Sequence, residues 1–208
     1  VKFPHNISRI EAFSDGVFAF AATLMVVNFD MGSDLAITKS SATGFLSFFV
    51  SFFVLVAIWW VHYNFYRRTN YMDNGIIALN SILLFVALYY VFPLKSLVQS
   101  WMGEGVKTPK DLANLFVMYG IGFMLIFLCF SLMYYRSFRK SHSAQKATLL
   151  YFYSRHFGIF VFVGAISVLF AFLEVGLKIG FPGYIYALLG PLCFWHSRQF
   201  YKKFTITL

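Results

Sequence analysis

Three polar side chains stand inside stretches that are otherwise apolar: Asp15, His62 and Asn80. A polar or ionisable group in a membrane-length run is costly and points to function. Asp15 lies six residues past Arg9, about 9 Å further along a helix axis. His62 precedes Arg67 by five residues, and Asn80 follows Asp73 by seven. If Arg9, Arg67 and Asp73 mark one surface, all three groups sit at a similar depth below it. A buried carboxylate is expensive unless it is paired or hydrogen-bonded. Ser14, His62, Asn80 and one of Trp59 or Trp60 offer the donors. Glu11 and Asp15 are an i, i+4 pair of like charge, with Glu11 nearer the surface. Such a cluster can lock three helices together, relay protons or hold an ion, or act as a catalytic group.

The remaining reactive side chains form no recognised catalytic or metal pattern. Cys129 and Cys193 lie in apolar runs without a CxxC spacing, so they read as buried free thiols. His156 and His196 occur without HExxH, GxSxG or a nucleotide loop. Glu174 and Lys178 have the spacing of a surface ion pair on a helix.

A second pattern concerns passage rather than reaction. At helical spacing Gly16, Phe20, Thr23, Val27 and Asp30 share one face, with Leu24 beside it. Apolar rings can gate by dewetting, and carboxylate rings attract cations. The competing reading is close helix packing through the small residues Ala12, Gly16, Ala19 and Thr23. One copy of the chain offers no obvious channel, so a pore needs several copies.

The elements that position these residues are membrane helices. The 208 residues are 60% hydrophobic and only 12% charged, whereas soluble domains are roughly a quarter charged. The class is an all-α integral membrane protein, one domain over residues 1–208. Six apolar runs are expected as helices, at about 7–29, 43–66, 75–97, 112–135, 156–180 and 183–200. The longest link is expected over about 136–155.

The net charge of +9 does not gather on a polar face, which argues against nucleic acid as a partner. Twelve Lys and Arg fall on one side of this topology and five on the other. The richer side is expected to face the cytoplasm with both termini, and the surrounding partner is membrane lipid.

Arg9-Ile-Glu-Ala-Phe13-Ser14-Asp15-Gly16 resembles the Arg-x-x-x-Phe-Ser-Asp signature of the endosomal and lysosomal potassium channel family. The resemblance extends through Ala22–Val26, Trp59–His62, Asn80 and Phe92-Pro93. It implies a bacterial inner-membrane protein with one six-helix repeat. The implied assembly is a homotetramer whose first helices line the pore. Phe20, Thr23, Leu24 and Val27 then form the lining and gate, with Asp30 at the mouth. Potassium is the permeant ion, passing transiently near Thr23, and no cofactor or enzyme activity is implied. Arg9, Phe13, Ser14, Asp15, Trp60, His62 and Asn80 form a structural network in that reading. Relatives usually carry Ile or Leu where Phe20 stands, so the residue that closes the pore is open. Like the family, the chain lacks a Thr-Val-Gly-Tyr-Gly filter. The alternative is a proton-coupled transporter using Asp15 and His62. Broken helices at mid-membrane would favour it, and Pro191 is the candidate break.

Overall fold

The structure is a computed structural model that describes residues 6–27, 39–103, 105–106 and 108–204. Among them the chain is helical, in the order α1 (Ile7–Val27), α2 (Lys39–Thr69), α3 (Asn74–Trp101), α4 (Pro109–Arg139) and α5 (Ala144–Phe172). A 3-10 turn follows at Leu177–Ile179. Next come α6 (Phe181–Tyr184), a second 3-10 turn (Ile185–Leu188) and α7 (Leu189–Phe204). Five of the helices, α1 to α5, are long and apolar enough to cross a membrane.

The helix ends have local causes. Thr108 and Asp111 form a reciprocal capping box with Pro109 in the first turn, so α4 starts before its apolar run. Asn70 takes a left-handed conformation (φ 44°) just after α2. Asp73 caps α3 by accepting from the Ile76 amide at 2.9 Å. Its carboxylate also takes Arg136 Nε at 2.8 and 2.9 Å and the Tyr71 hydroxyl at 2.9 Å. Partial burial raises the Asp73 carboxyl, but the donors Arg136, Ile76 and Tyr71 outweigh it and hold it at about 2.

Two expectations differ from the structure. The long link collapses to residues 140–143, and α5 begins at Ala144 instead of near residue 156. Ser143 accepts from the Lys146 amide at 3.4 Å and starts the helix. The Lys146 ammonium donates to the Thr69 carbonyl at 2.6 Å, a cation on the C-terminal end of α2. The last run is helical over 181–204 but in pieces. Pro191 has no N–H to give the Ala187 carbonyl, and the preceding turn is 3-10. The helical spacing assumed for Glu174 and Lys178 is also absent, because α5 ends at Phe172. Glu174 is left-handed (φ 56°), and the Val175 and Glu174 amides donate to the Phe170 and Ala171 carbonyls.

Packing is most extensive between α4 and α5, then between α3 and α4. Phe127 and Phe130 of α4 interleave with Phe157 and Phe160 of α5 at centroid distances of 4.4 to 5.8 Å. Ser131 and Ser154 each donate to the other's backbone carbonyl, at 2.9 and 3.0 Å. Gly122 admits the Tyr90 ring, which would lie 2.7 Å from an added Cβ. By contrast, the fully buried residues of α1 against α2 and α3 form one stripe, Ser14, Phe18, Ala21 and Met25, with Ile7, Ile10, Val17 and Ala22 partly buried beside it.

Candidate pore-lining helix and the polar lock behind it

The buried stripe of α1 carries one polar residue, and that residue is fully partnered. The Ser14 hydroxyl donates to the Ile10 carbonyl at 2.8 Å. With its proton committed, it accepts from Asn80 Nδ2 at 3.0 Å. The Asn80 amide is thereby oriented, and its Oδ1 faces His62 Nε2 at 2.7 Å. An amide oxygen needs a donor, so His62 carries its proton on Nε2. The result is a directed chain from His62 to Asn80 to Ser14 to the α1 backbone. All three side chains are 2% exposed or less. Phe18 and Tyr66 stand edge-on to the imidazole at 5.5 and 5.0 Å.

Asp15 is not in this chain. It sits one position round the helix, on an exposed face, and accepts from Trp59 Nε1 at 2.8 Å. The helices that carry Asp15, His62 and Asn80 meet here, but the polar partners are sorted differently from the expected cluster. Trp59 makes the indole contact; Trp60, about 100° further round α2, is 55% exposed. Arg9 and Phe13 are also exposed. No hydrogen bond among the described residues joins Arg9, Phe13 or Trp60 to the lock. Asp15 and His62 keep separate partners, so the direct proton couple of the transporter alternative is not formed. Sequence reasoning did not foresee that Ser14, not Asp15, is the hub. Its place on the i, i+4, i+7 stripe with Phe18 and Ala21 was the available signal.

The opposite face of α1 is open. Phe20 is 57% exposed and Val27 75% exposed, and Thr23 lies between them, also exposed. The Thr23 hydroxyl donates to the Ala19 carbonyl at 3.0 Å, which leaves its oxygen able to accept from, or ligate, a passing ion. Nothing lies within 4 Å of a Cβ built on Gly16. Leu24 is half-buried, beside a small cavity it shares with Leu88, Val91 and Lys95 of α3. A groove of about 390 Å³ runs between α1 and α2 from Asp15 and Trp59 past Ala19 and Ala22 to Phe52 and Val56. Asp30 lies outside the described residues.

The family model for the endosomal/lysosomal potassium channel TMEM175 matches residues 9–93, the stretch that holds Ser14, His62 and Asn80. Over that stretch the chain is similar to the TMEM175 family. It is 36% identical over 148 residues to a potassium channel of Marivirga tractuosa, covering 64% of this chain and 60% of the relative. It is 28% identical over 103 residues to a potassium channel of Streptomyces collinus, covering 44% and 47%. The chain thus spans well under two thirds of the curated relatives it matches. The fold of a variant of the potassium channel MtTMEM175, solved with a nanobody–MBP fusion, matches at TM-score 0.71 and 28% identity over 93% of both chains. A Chamaesiphon minutus homologue of the lysosomal potassium-selective channel TMEM175 matches in fold at TM-score 0.58 and 22% identity, over 88% of this chain and 97% of that one. The TMEM175 family is one of channels, not enzymes. Its match reaches α3, so α4 to α7 join the comparison through fold and not through the family model.

Proposed function

We propose that this chain is one subunit of a potassium-permeable channel in a bacterial inner membrane. Four copies surround a central pore lined by their α1 helices. The observation that carries the reading is the two-faced α1. One face is locked to α2 and α3, and the other leaves Phe20, Thr23 and Val27 exposed among the described residues.

In this reading Phe20 and Val27, with Leu24 at the margin, form an apolar bottleneck that resists wetting. Thr23 supplies the side-chain oxygen among the described residues of that face, a transient stop for a partly dehydrated potassium ion. Asp30 at the mouth raises the local cation concentration. Arg9, Phe13, Asp15 and Trp60, exposed in one subunit, complete the network across subunit boundaries. The basic side of the bundle and both termini face the cytoplasm, and the outer helices face lipid.

The test is potassium flux into liposomes that hold the purified protein, with the potassium gradient clamped and a proton ionophore added or omitted. Flux that follows the potassium gradient in both conditions supports the channel. Flux that collapses with the proton gradient, or no flux, overturns it.

A further inference from the structure

We propose that His156 on α5 and His196 on α7 form a proton-binding site that loosens α7 from α5 when the basic end of the bundle is acidified. This does not depend on the channel reading.

The two rings lie 5.7 Å apart between centroids. Each Nδ1 is buried, and neither has a hydrogen-bond partner among the described residues. The walls are aromatic. Phe152 stacks on His196 at 4.9 Å and 11°, and it also touches His156 at 5.4 Å and Phe200 at 4.5 Å. Phe160 closes the other side of His156 at 5.8 Å. As neutral rings the two histidines suit this lining well.

Protonated, they have no carboxylate on their own helices to balance their charge. The helix α5 contains no Asp or Glu, and neither do residues 181–204. Arg155, next to His156 in sequence, acts on His196, and the described charged residues of α7 that follow His196, Arg198 and Lys202, are also cationic. Packed against α5 on its other side, α4 carries no charged side chain between Asp111 and Arg136. The other titratable groups on these elements between the charged ends are neutral ones: Tyr119, Cys129, Tyr134 and Tyr135 on α4, Tyr151 and Tyr153 on α5, Tyr184 on α6, Tyr186 on the turn after it, and Cys193 and Tyr201 on α7. The face of Phe152 can carry one imidazolium by a cation–π contact. A second proton then places like charge beside like charge in an apolar setting, with Arg155 adjacent.

The connection allows the release. Gly176 and Gly180, both at φ 70°, flank the 3-10 turn after α5, and a second 3-10 turn precedes α7. The short contact of α7 with α5 can therefore open while the extensive α4–α5 pairing holds.

Hydrogen–deuterium exchange of the whole protein in detergent micelles tests this. Peptides from 189–204 are compared at about pH 7.5 and about pH 5, the range in which imidazoles titrate, after correction for intrinsic exchange. The expected result is at least a tenfold rise in exchange in α7 on acidification, with the α4 peptides unchanged. In the double variant His156→Gln, His196→Gln the rise should disappear. An α7 that exchanges equally at both pH values in the unaltered protein overturns the proposal. So does an equal acid-induced rise in the double variant. Because the first comparison uses the unaltered chain, it stands even if the variant folds poorly.

Discussion

Asn80 of α3 holds Ser14 of α1 through a 3.0 Å hydrogen bond between residues 66 apart in sequence. Asn80 is the only member of the lock that both donates to one helix and accepts from another. Replacing it tests the whole arrangement. Asn80→Ala leaves the His62 N–H and the Ser14 oxygen without their partner in a buried site. The expected loss is about 2–3 kcal/mol, read as a lower melting temperature in detergent. Asn80→Asp keeps an acceptor for His62 but offers Ser14 no N–H, and it also buries a carboxyl, so it too should be destabilised. Wild-type melting in Asn80→Ala would remove the lock from the stability of the fold.

Gly122 gives a steric test of the α3–α4 contact. A methyl there meets the Tyr90 ring at 2.7 Å. Gly122→Ala should cost about 1–3 kcal/mol through overpacking, despite the better helix propensity of Ala. Gly16→Ala is the matched control, with no neighbour within 4 Å in the subunit. Thermal unfolding of both should show loss in the first and none in the second. If Gly16→Ala then changes conductance or assembly, its face meets another copy.

Asp73 sets an acid limit on the α3–α4 junction. Its folded pKa is about 2, below the ordinary value of 3.8. A depressed carboxyl stabilises above its ordinary pKa and loses that contribution as pH falls through the folded value. The junction should therefore weaken between about pH 4 and pH 2. Asp73→Asn keeps a good helix cap and should flatten that part of the melting-temperature profile. An unchanged slope in the variant would assign the acid sensitivity elsewhere.

On the open face of α1, Thr23→Ala should reduce the preference for potassium over sodium. It should leave the unfolding free energy within about 0.5 kcal/mol of the unaltered protein's, as for an exposed site. Phe20→Ala should raise conductance by widening the bottleneck. Reversal potentials and single-channel currents in bilayers check both. An unshifted reversal potential in Thr23→Ala would take that hydroxyl out of the ion path.

The membrane class was legible from composition, and the meeting of His62 with Asn80 from their similar distances to Arg67 and Asp73. What the sequence hid was angular and local. Trp59 and Trp60 are neighbours in sequence but about 100° apart on a helix, and sequence alone does not say which one meets Asp15. The start of α5 was masked by Gln145, Lys146 and Thr148, polar residues that look like a loop. They are helical because Ser143 caps them and Lys146 is held by Thr69, a residue 77 positions away. The pieces before α7 come from Pro191 acting on the turn before it, which an apolar count does not register.

The directed chain from His62 to Ile10 also has a mechanical meaning. Reversing the Asn80 amide would require the His62 proton to move to Nδ1 and the Ser14 hydroxyl to turn from the Ile10 carbonyl to the Asn80 oxygen, so the three groups change polarity only together. Turning α1 by a single residue would carry Ser14 out of reach. The helix is thus a beam clamped near one end, with Val27 toward the far end from the clamp. Any change in spacing between such beams in an assembly must come from flexure along α1 or tilting about Ser14. Spin rotation about the helix axis is not available.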